Sequence, residues 1–180
     1  MSSKNHQITN YDCLVIGGGI TGLTVANTLQ LKGLKVAVLE QNQNIGGCLA
    51  TCTISKGENI EGVFDYGIQD FHVTNPKLQA LADDWLNQGL VKQVTHDFSE
   101  TDKKSHYGSS QGMNQIAQHW AKKLEVYANT EIIEISYQKK WLIKTKNQEQ
   151  FQGDMLVIAC LLYTSPSPRD LSTSRMPSSA

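Results

Sequence analysis

The sequence has no long apolar segment and no block of charge of one sign. Its longest apolar run, residues 155–162, is far too short to cross a bilayer, and the polar residues 1–12 contain no apolar signal-peptide core. Lysine and arginine total 16, aspartate and glutamate 17, and the net charge is -1. These absences argue against a membrane or a nucleic-acid partner and predict a cytoplasmic chain.

Cysteine is scarce and forms no recognisable framework. Cys48 and Cys52 are separated by three residues, without a second pair or a nearby histidine cluster, and Cys13 and Cys160 stand alone. Neither a zinc site nor a disulfide scaffold follows from this spacing. We expect free thiols of a reducing compartment and no metal. No internal repeat is present either.

A glycine-rich turn between two apolar runs is the strongest signal in the chain. Residues 13–16 have the composition of a strand buried on both faces, and Gly17, Gly19 and Gly22 follow in G-x-G-x-x-G spacing. A helical pattern then begins near Ile20, and a second β-rich run, residues 35–39, ends at Glu40. This order predicts a βαβ dinucleotide-binding unit, whose alternative is a tight turn that binds nothing.

Each residue of this motif has a physical role in that interpretation. Gly17 allows the sharp turn, Gly19 lets backbone approach a pyrophosphate, and Gly22 lets the helix lie close to the sheet. The helix N-terminus directs its N–H groups at the phosphates. Glu40 accepts the ribose hydroxyls and repels a 2′-phosphate, which disfavours NADP. The predicted contacts of the cofactor in this unit are Gly17, Gly18, Gly19, Ile20, Thr21, Gly22 and Glu40.

The rest of the chain is predicted from periodicity and capping signals. Residues 1–10 are expected to be a disordered arm, and Asn75 followed by Pro76 predicts the start of a helix that Gly89 ends. A second amphipathic helix carries Met113 and Trp120. The predicted strands are residues 51–55, 60–65, 90–98, 103–108, 124–127, a hairpin turning near Lys139, and an apolar buried strand at 154–160.

The composition changes abruptly at about residue 160. Residues 163–180 are rich in serine and proline, show no periodicity and have nothing to bury. The segment resembles the translated adapter sequence that ends many gene models. We interpret residues 161–180 as a disordered, non-native tail, and a genuine disordered tail is the alternative.

Several stretches together resemble known flavoproteins. The strand, the GGGITG turn, the strand ending in Glu40 and the pair Gly46-Gly47 resemble the N-terminal part of flavoproteins of the amine-oxidase and glutathione-reductase type. GGCLAT at residues 46–51 and FDYGIQDF at residues 64–71 are similar to the renalase-like branch. So are residues 107–113 and the hairpin that leads to LVIA at residues 156–159. The resemblance covers residues 11–159.

The resemblance implies a fold, a cofactor and further site residues. It implies an α/β, Rossmann-like FAD/NAD(P)-binding domain, with a βαβ unit, a parallel sheet and a β-meander, and part of a substrate domain. The expected divisions are FAD-binding parts at 11–72 and 109–160 and a partial substrate domain at 73–108. The additional FAD contacts implied are Gly46, Gly47, Cys48, Gly67, Gln69 and Ile132.

The sequence departs from the family pattern in two respects. Cys48 stands where the family has an arginine on the FAD phosphates, and a thiol cannot make that bidentate contact. Family chains also run well past residue 159, and their C-terminal part completes the flavin-ring site and the substrate lid. We therefore expect the 180-residue chain to be a truncated enzyme that does not turn over.

Polar residues near the proposed flavin segment are candidates for chemistry, each with a structural alternative. Asp65 and Asp70 could form an acid–base pair or be two unrelated carboxylates. His72 and His106 could line a substrate pocket or lie on the surface. Aromatic side chains of the same region could stack near the flavin or belong to the core, namely Tyr66 and Phe71.

Three functions remain open at this stage. The first is an FAD-dependent oxidoreductase that removes a hydride from an amine or a reduced nicotinamide and passes the electrons to oxygen. The second is a dinucleotide-binding module without turnover, and the third is an NAD-binding dehydrogenase, which Gly46-Gly47 disfavours. The expected partner is a small-molecule substrate, and the sequence gives no oligomeric state.

Overall fold

The computed structural model describes residues 8–57, 59–94 and 105–160. Three sheets and three α-helices form within these ranges. In chain order the elements are β1 (Ile8–Ile16), α1 (Ile20–Leu31), β2 (Val36–Leu39), a short 3₁₀ helix (Gly47–Leu49), β3 (Thr51–Lys56), β4 (Asn59–Asp65), β5 (Asp70–His72), α2 (Pro76–Asn87), β6 (Lys92–Val94), β7 (His106–Gly108), α3 (Asn114–Ala121), β8 (Glu125–Tyr127), β9 (Ile132–Gln138), β10 (Lys140–Thr145) and β11 (Gln150–Ile158).

The largest sheet has the strand order β8-β2-β1-β11-β10-β9. The first four of these strands run parallel, whereas β10 pairs antiparallel with both β11 and β9. The chain therefore combines a parallel, Rossmann-like sheet with a β-meander, as the sequence predicted. The carboxyl ends of the parallel strands meet at one edge of this sheet.

Both faces of the two central parallel strands, β1 and β2, are buried. On one face, Val15 and Val38 pack with Leu23 of α1 and with Ile116 of α3. The other face has its own apolar cluster, whose buried members are Tyr11, Leu14, Ala37, Leu39, Ile143 and Phe151. Burial on both sides explains why β2 reads as an unbroken apolar run, Val36–Leu39.

A three-stranded sheet, β5-β7-β6, packs one face on α2. Phe71 stacks on Tyr107 with ring centroids 5.5 Å apart and meets the edge of Trp85 at 5.9 Å. Trp85 in turn lies 5.7 Å from Trp120 of α3. This aromatic contact joins the small sheet to the helices that cover the large one. Strands β3 and β4 form a separate hairpin.

Capping signals set the helix ends where the sequence predicts them. The side chain of Asn75 accepts a hydrogen bond of 3.0 Å from the backbone N–H of Leu78, and Pro76 occupies the first turn of α2. Gly89, at φ +69°, and Gly33, at φ +85°, follow α2 and α1 in the left-handed conformation that glycine adopts without strain. Lys32 is the C-cap residue of α1.

The observed pairing of β1 with β11 corrects two strand predictions. The expected disordered arm is wrong for residues 8–10, because β1 begins at Ile8, where it pairs with Gln150. For the same reason β11 begins at Gln150 and not at residue 154. The prediction of a buried strand there also fails in part, since Met155 is 41% and Ile158 51% exposed.

Some predicted segments lie outside the described residues. These are residues 1–7, residues 95–104 of the predicted strands around β6 and β7, and the predicted tail at 161–180. Among the residues that the structure describes, no helix is both long enough and apolar enough to cross a membrane.

Candidate nucleotide site

The turn after β1 lies at the carboxyl edge of the large sheet, between β2 and β11. Gly17 donates its N–H to the carbonyl of Leu39 at 2.8 Å, and Ala159 donates to the carbonyl of Ile16 at 2.8 Å. Gly17 has φ +106°, and a Cβ there would lie 3.0 Å from the carbonyl carbon of Ala159. The turn therefore sits at a topological switch point, where ligands of open α/β sheets bind.

Gly22 sets how closely α1 approaches this turn. A Cβ built on Gly22 would lie only 2.0 Å from the carbonyl oxygen of Gly17 and 3.3 Å from Cγ1 of Val15. Any other residue would push the helix off the turn. The backbone geometry thus agrees with the packing role predicted for Gly22, the third glycine of the motif.

The N-terminus of α1 lies at this edge of the sheet. Among the described residues, no side chain caps it. Gly19 precedes the helix, and its first turn has no acidic residue. Gly22 is buried and Thr21 exposed, so the first turn is partly accessible. Uncapped N–H groups and the positive end of the helix dipole attract an anion.

The second glycine pair lies against the first turn. Gly46 donates its N–H to the carbonyl of Gly18 at 2.9 Å, and both Gly46 and Gly47 have positive φ angles, +125° and +56°. A Cβ on Gly47 would lie 3.0 Å from Cα of Gly19. The two glycine segments thus lie in direct backbone contact with no side chain between them, a packing that glycine alone allows.

Glu40 is held at the end of β2 by three hydrogen bonds and is only 7% exposed. Its Oε2 accepts from the N–H of Gly18 at 2.7 Å. Its Oε1 accepts from the backbone N–H and the side-chain amide of Asn42, each at 2.9 Å. A carboxylate has about four acceptor positions, so about one remains for a hydroxyl group. The carboxylate therefore faces the glycine turn, as the motif predicts.

A turn after β8 completes this edge. Thr130 donates its N–H to the carbonyl of Glu40 at 2.8 Å, and Asn129, at φ +53°, donates to the carbonyl of Asn42 at 3.1 Å. Ile132 starts β9 two residues later and pairs with Thr145. The sequence analysis missed Asn42, Asn129 and Thr130. Asparagine next to a strand end is a turn signal that would have found the first two.

Cys48 follows the second glycine pair and its side chain is exposed. Its carbonyl accepts from the N–H of Ile68 at 2.8 Å, and a Cβ on Gly67 would lie 2.1 Å from that carbonyl oxygen. Gly67 therefore has no space for a side chain. Gln69 leads from this contact into β5, and its carbonyl oxygen would lie 3.4 Å from a Cβ on Gly108. The segment 67–69 thus connects the glycine turns to the small sheet.

Asp65 has a structural partner and forms no pair with Asp70. Its Oδ1 accepts from the hydroxyl of Thr51 and, at 2.8 Å, from the N–H of Met113. The hydroxyl of Thr51 accepts from the N–H of Asn114 at 3.1 Å. Asp65 and Thr51 together satisfy the N-terminus of α3 from a distant strand, so the hypothesis of an Asp65–Asp70 acid–base pair is not supported.

Asp70, His72 and His106 are brought together on the small sheet. Oδ1 of Asp70 lies 2.9 Å from Nδ1 of His106, and the rings of His72 and His106 are 5.7 Å apart. The two aromatic candidates differ: Tyr66 is 73% exposed, whereas Phe71 packs in the aromatic core.

Within residues 8–57, 59–94 and 105–160, no group of three histidine, cysteine or carboxylate side chains could hold a metal ion.

A polar cluster of the buried Tyr11, the partly buried Tyr127 and the exposed Glu125 lies on the face of the large sheet opposite α1. Tyr11 and Tyr127 both donate to Oε1 of Glu125 at 2.6 Å. These two hydrogen bonds lower the pKa of Glu125. Burial, followed by the contacts with Glu125 and Tyr127, raises the pKa of Tyr11 far above its ordinary value. Lys35 lies over the Tyr11 ring, with Nζ 4.6 Å from its centroid.

Two family models match the chain. The model described as NAD(P)-binding Rossmann-like domain matches residues 15–85. The model described as flavin containing amine oxidoreductase matches residues 89–178, half of the 180 residues. The second range extends into residues 161–180, the segment predicted above to be a non-native tail.

Relatives are found among curated proteins and solved structures. A Bacillus subtilis (strain 168) protein, provisionally named a Rieske 2Fe-2S iron–sulfur protein, is 26% identical over 79% of this chain and 30% of its own length. Pseudooxynicotine dehydrogenase of a Pseudomonas species is 44% identical over 29% of this chain and 10% of its own. The chain thus spans less than a third of either relative.

A solved structure shares the fold over most of the chain. Wild-type putrescine oxidase bound to putrescine has a TM-score of 0.65 and 14% identity, over 85% of this chain and 58% of that one. At this identity the likeness shows the fold alone, a mixed α/β arrangement around a parallel sheet.

Proposed function

Because the chain belongs to the flavin containing amine oxidoreductase family, whose cofactor is FAD, we propose that its glycine turns hold FAD for the oxidation of an amine. The observation that carries the proposal is the buried carboxylate of Glu40 facing the uncapped start of α1. A nucleotide suits this arrangement. Its ribose hydroxyls can donate to the fixed carboxylate, and its negative phosphates can bind at the positive end of the helix dipole.

The glycines of the two turns let Glu40, the first turn and the second turn pack into one continuous backbone surface. Added Cβ atoms at Gly18 and Gly47 would lie 3.0 Å from Glu40 and Gly19, respectively. We assign the pyrophosphate to the two glycine segments and the N-terminus of α1, and the ribose to Glu40. The assigned contacts are Gly17, Gly18, Gly19, Ile20, Thr21, Gly22, Gly46, Gly47 and Glu40.

The remaining contacts follow from their positions relative to this surface. Cys48 continues the second glycine pair, and Gly67 lies against it, so Gly67 and Gln69 are assigned to the flavin side. Ile132 follows the turn that is bonded to Glu40 and is assigned to the adenine side. Asn42 joins the set as the residue that orients Glu40.

The proposed reaction is that of a renalase-like oxidase. FAD, when bound, accepts a hydride from an amine or a reduced nicotinamide and returns the electrons to oxygen. The protein supplies binding, orientation and exclusion of water from the reacting face. Residues 11–72 and 109–160 form the FAD-binding part and residues 73–108 part of a substrate domain. Free thiols at Cys13, Cys48, Cys52 and Cys160 favour a cytoplasmic location.

A pair of matched variants tests the cofactor assignment. Replacing Glu40 by alanine removes a charge-assisted hydrogen bond to the ribose, worth roughly 1.5–3 kcal/mol, and should weaken FAD binding about ten- to a hundredfold. Glu131→Ala is the control, because Glu131 forms a solvent-exposed ion pair with Lys146. Titration of the apoprotein followed by flavin fluorescence measures both. Equal affinities in the two variants would refute the ribose assignment.

The oxidation is tested separately by the flavin spectrum of the loaded protein. Anaerobic addition of an amine, or of a reduced nicotinamide, should bleach the visible absorbance of the bound flavin on the order of seconds to minutes. Admitting air should restore it. A protein that binds FAD but shows neither change is a dinucleotide-binding module without turnover, and the proposed oxidation is then wrong for this chain. Both changes together would instead refute the expectation of a truncated, inactive enzyme.

A further inference from the structure

Strand β9 forms an open edge of the large sheet. It pairs antiparallel with β10 on one side, and among the described residues no strand pairs with its other side. Alternate residues of such a strand direct their backbone N–H and C=O groups outward, where another strand can bind. Edges of this kind are commonly protected by short length, proline or lysine. Ile132–Gln138 has seven residues and contains neither proline nor lysine.

The same strand exposes apolar side chains. Ile133, Ile135 and Tyr137 are 64%, 41% and 60% exposed. Ile135 pairs directly with Ile143, which is fully buried, so these two side chains lie on the same face of the sheet. Tyr137 is paired likewise with Trp141, and their ring centroids are 5.1 Å apart. The apolar cluster on this face therefore extends to the open edge and is exposed there.

From the composition of this edge we propose that β9 pairs antiparallel with β9 of a second copy of the chain, across a twofold axis at Ile135. In that register Ile135 lies opposite itself, and Ile133 lies opposite Tyr137 of the other copy. Directly opposed residues on paired strands have Cβ atoms about 4.5–5.5 Å apart, so these apolar side chains contact across the axis. Their burial favours association. The inference is independent of the proposed function.

The charges of the edge select this register. With the axis at Ile135, Glu134 of one copy lies opposite Ser136 of the other. Glu131 then lies opposite Lys139, so opposite charges meet at both ends of the contact. An axis one residue earlier would set Glu134 opposite itself, and like charges directly opposite each other are destabilising. An axis one residue later would set Lys139 opposite an isoleucine. The strand is thus complementary to itself in one antiparallel register.

The strand is regular where the proposed pairing is centred. Its register with β10 shifts between Lys144 and Thr145, which leaves Ile133 as a bulge near the start of β9. Glu134–Gln138 pair with β10 without interruption. The opposite edge of the sheet is better protected, because β8 has only three residues. A contact confined to one strand belongs to the small, transient interfaces, so we expect a dissociation constant on the order of 10 μM.

Sedimentation velocity of the full chain at about 1–200 μM tests the pairing. The wild type should shift from monomer to dimer over this range. Ile135→Lys places two like charges at the axis and should weaken dimerisation at least about tenfold. Ile54→Lys is the matched control, because Ile54 is an exposed isoleucine on the separate β3–β4 hairpin. Circular dichroism establishes that both variants fold. A monomeric wild type, or equal dimerisation of the two variants, would overturn the inference.

Charge changes at Ser136 test the register. Ser136→Glu sets a second carboxylate opposite Glu134, and this contact occurs twice in the dimer. It should weaken dimerisation about fivefold. Ser136→Lys sets an ammonium at the same place and should tighten dimerisation by a similar factor. If the two variants dimerise alike, the axis does not lie at Ile135 and the inference is wrong.

Hydrogen exchange of the wild type gives a readout that needs no variant. The outward N–H groups of Ile132–Gln138 gain partners in the dimer, so these amides should exchange more slowly at about 100 μM protein than at about 1 μM. Amides of Thr51–Lys56, on the β3–β4 hairpin, should exchange equally at both concentrations. A dimer whose β9 amides exchange at an unchanged rate uses another surface, and that result would also refute the pairing.

Discussion

Among single residues, Cys48 is the most informative position of the proposed phosphate site. The family motif places an arginine after the second glycine pair, and here an exposed thiol occupies that position. The surrounding backbone is fixed, because the carbonyl of Cys48 accepts from Ile68. The side chain at residue 48 can therefore change without disturbing the turn.

Replacing Cys48 by arginine should tighten FAD binding. A guanidinium at this position adds a charge-assisted contact with the phosphates, worth roughly 1.5–3 kcal/mol when formed. Calorimetric titration of the apoprotein with FAD should show an affinity gain of about tenfold or more. Cys52→Arg, at an exposed position on the β3–β4 hairpin, controls for added charge. A gain equal to that of the control would mean that the phosphates are held without residue 48.

The glycine at the third position of the motif is a packing requirement as well as a signature. Gly22→Ala should lower the free energy of unfolding by about 1–3 kcal/mol, the usual cost of overpacking, although alanine is the better helix former. The reason is the 2.0 Å approach of the added Cβ to the carbonyl oxygen of Gly17. Urea unfolding measures the effect. Gln30→Ala, on the exposed side of α1, should be nearly neutral, and a neutral Gly22→Ala would contradict the observed packing.

The residues of the nucleotide turn were predictable because their spacing and chemistry are local. Gly17, Gly22 and Glu40 were identified within one βαβ unit, and the turn and packing roles predicted for the two glycines agree with their backbone contacts, whereas the ribose contact of Glu40 stays a prediction. Asn42 bonds to Glu40 locally and carries a turn signal that could have found it, whereas Thr130 escaped prediction because its contact with Glu40 comes from a turn about ninety residues away in sequence. The pairing of Asp70 with His106 across two strands was unpredictable for the same reason.

At the level of elements, α3 is stabilised by a strand that precedes it by nearly fifty residues. Asp65, at the end of β4, accepts from the backbone N–H of Met113, and Thr51 accepts from that of Asn114. The helix has no cap of its own, since Met113 makes no side-chain capping bond. The β3–β4 hairpin is therefore an N-terminal cap supplied in tertiary contact.

Substitution of Asp65 should affect stability and leave the chemistry alone. Asp65→Ala should cost about 1–2 kcal/mol of unfolding free energy, as loss of a good N-cap does. Asp65→Asn keeps an acceptor oxygen and should cost less. Thermal unfolding of both, beside Asp83→Ala on the exposed side of α2, provides the measurement. A change in the pH profile of flavin reduction in the asparagine variant would instead revive the acid–base hypothesis.

Element boundaries were predicted well where caps or turns are local and poorly where strand partners are distant. Asn75 and Gly89 delimit α2 as expected, and Lys139, at φ +73°, turns the β9–β10 hairpin. The first residues of β1 and β11 mix polar and apolar types in runs too short to give a strand signal. They become strand because Ile8 pairs with Gln150, an interaction that periodicity cannot reveal.

For the molecule as a whole, the Tyr11–Glu125–Tyr127 cluster makes stability depend on pH. The pKa of Glu125 is lower in the folded chain than its ordinary value of 4.5, through the hydrogen bonds from the two tyrosines. A lowered folded-state pKa contributes stability above the unfolded pKa, and that contribution disappears as pH falls through the folded value.

Wild type and Glu125→Gln should therefore differ most in unfolding free energy at neutral pH. The difference should shrink as the pH falls from about 5 to about 3, because the carboxylate of the wild type becomes protonated. Urea unfolding at a series of pH values checks this. Glu134→Gln, which removes an exposed ion pair with Lys144, is the control for general loss of charge. A difference independent of pH would show that the cluster stabilises the fold by packing alone.

The position of β11 beside β1 also orders events during synthesis. The ribosome completes β1, α1 and β2 by residue 40, yet the strand that closes the other side of β1 ends at Ile158. At about 5–20 residues per second, translation of the intervening segment takes roughly 6–24 s. Throughout that interval one edge of β1 has no partner and Gly17 lacks its contact with Ala159. The glycine turn is thus synthesised early but gains its last strand partner late. Nascent chains therefore depend on protection of the exposed edge of β1 before any cofactor can be taken up.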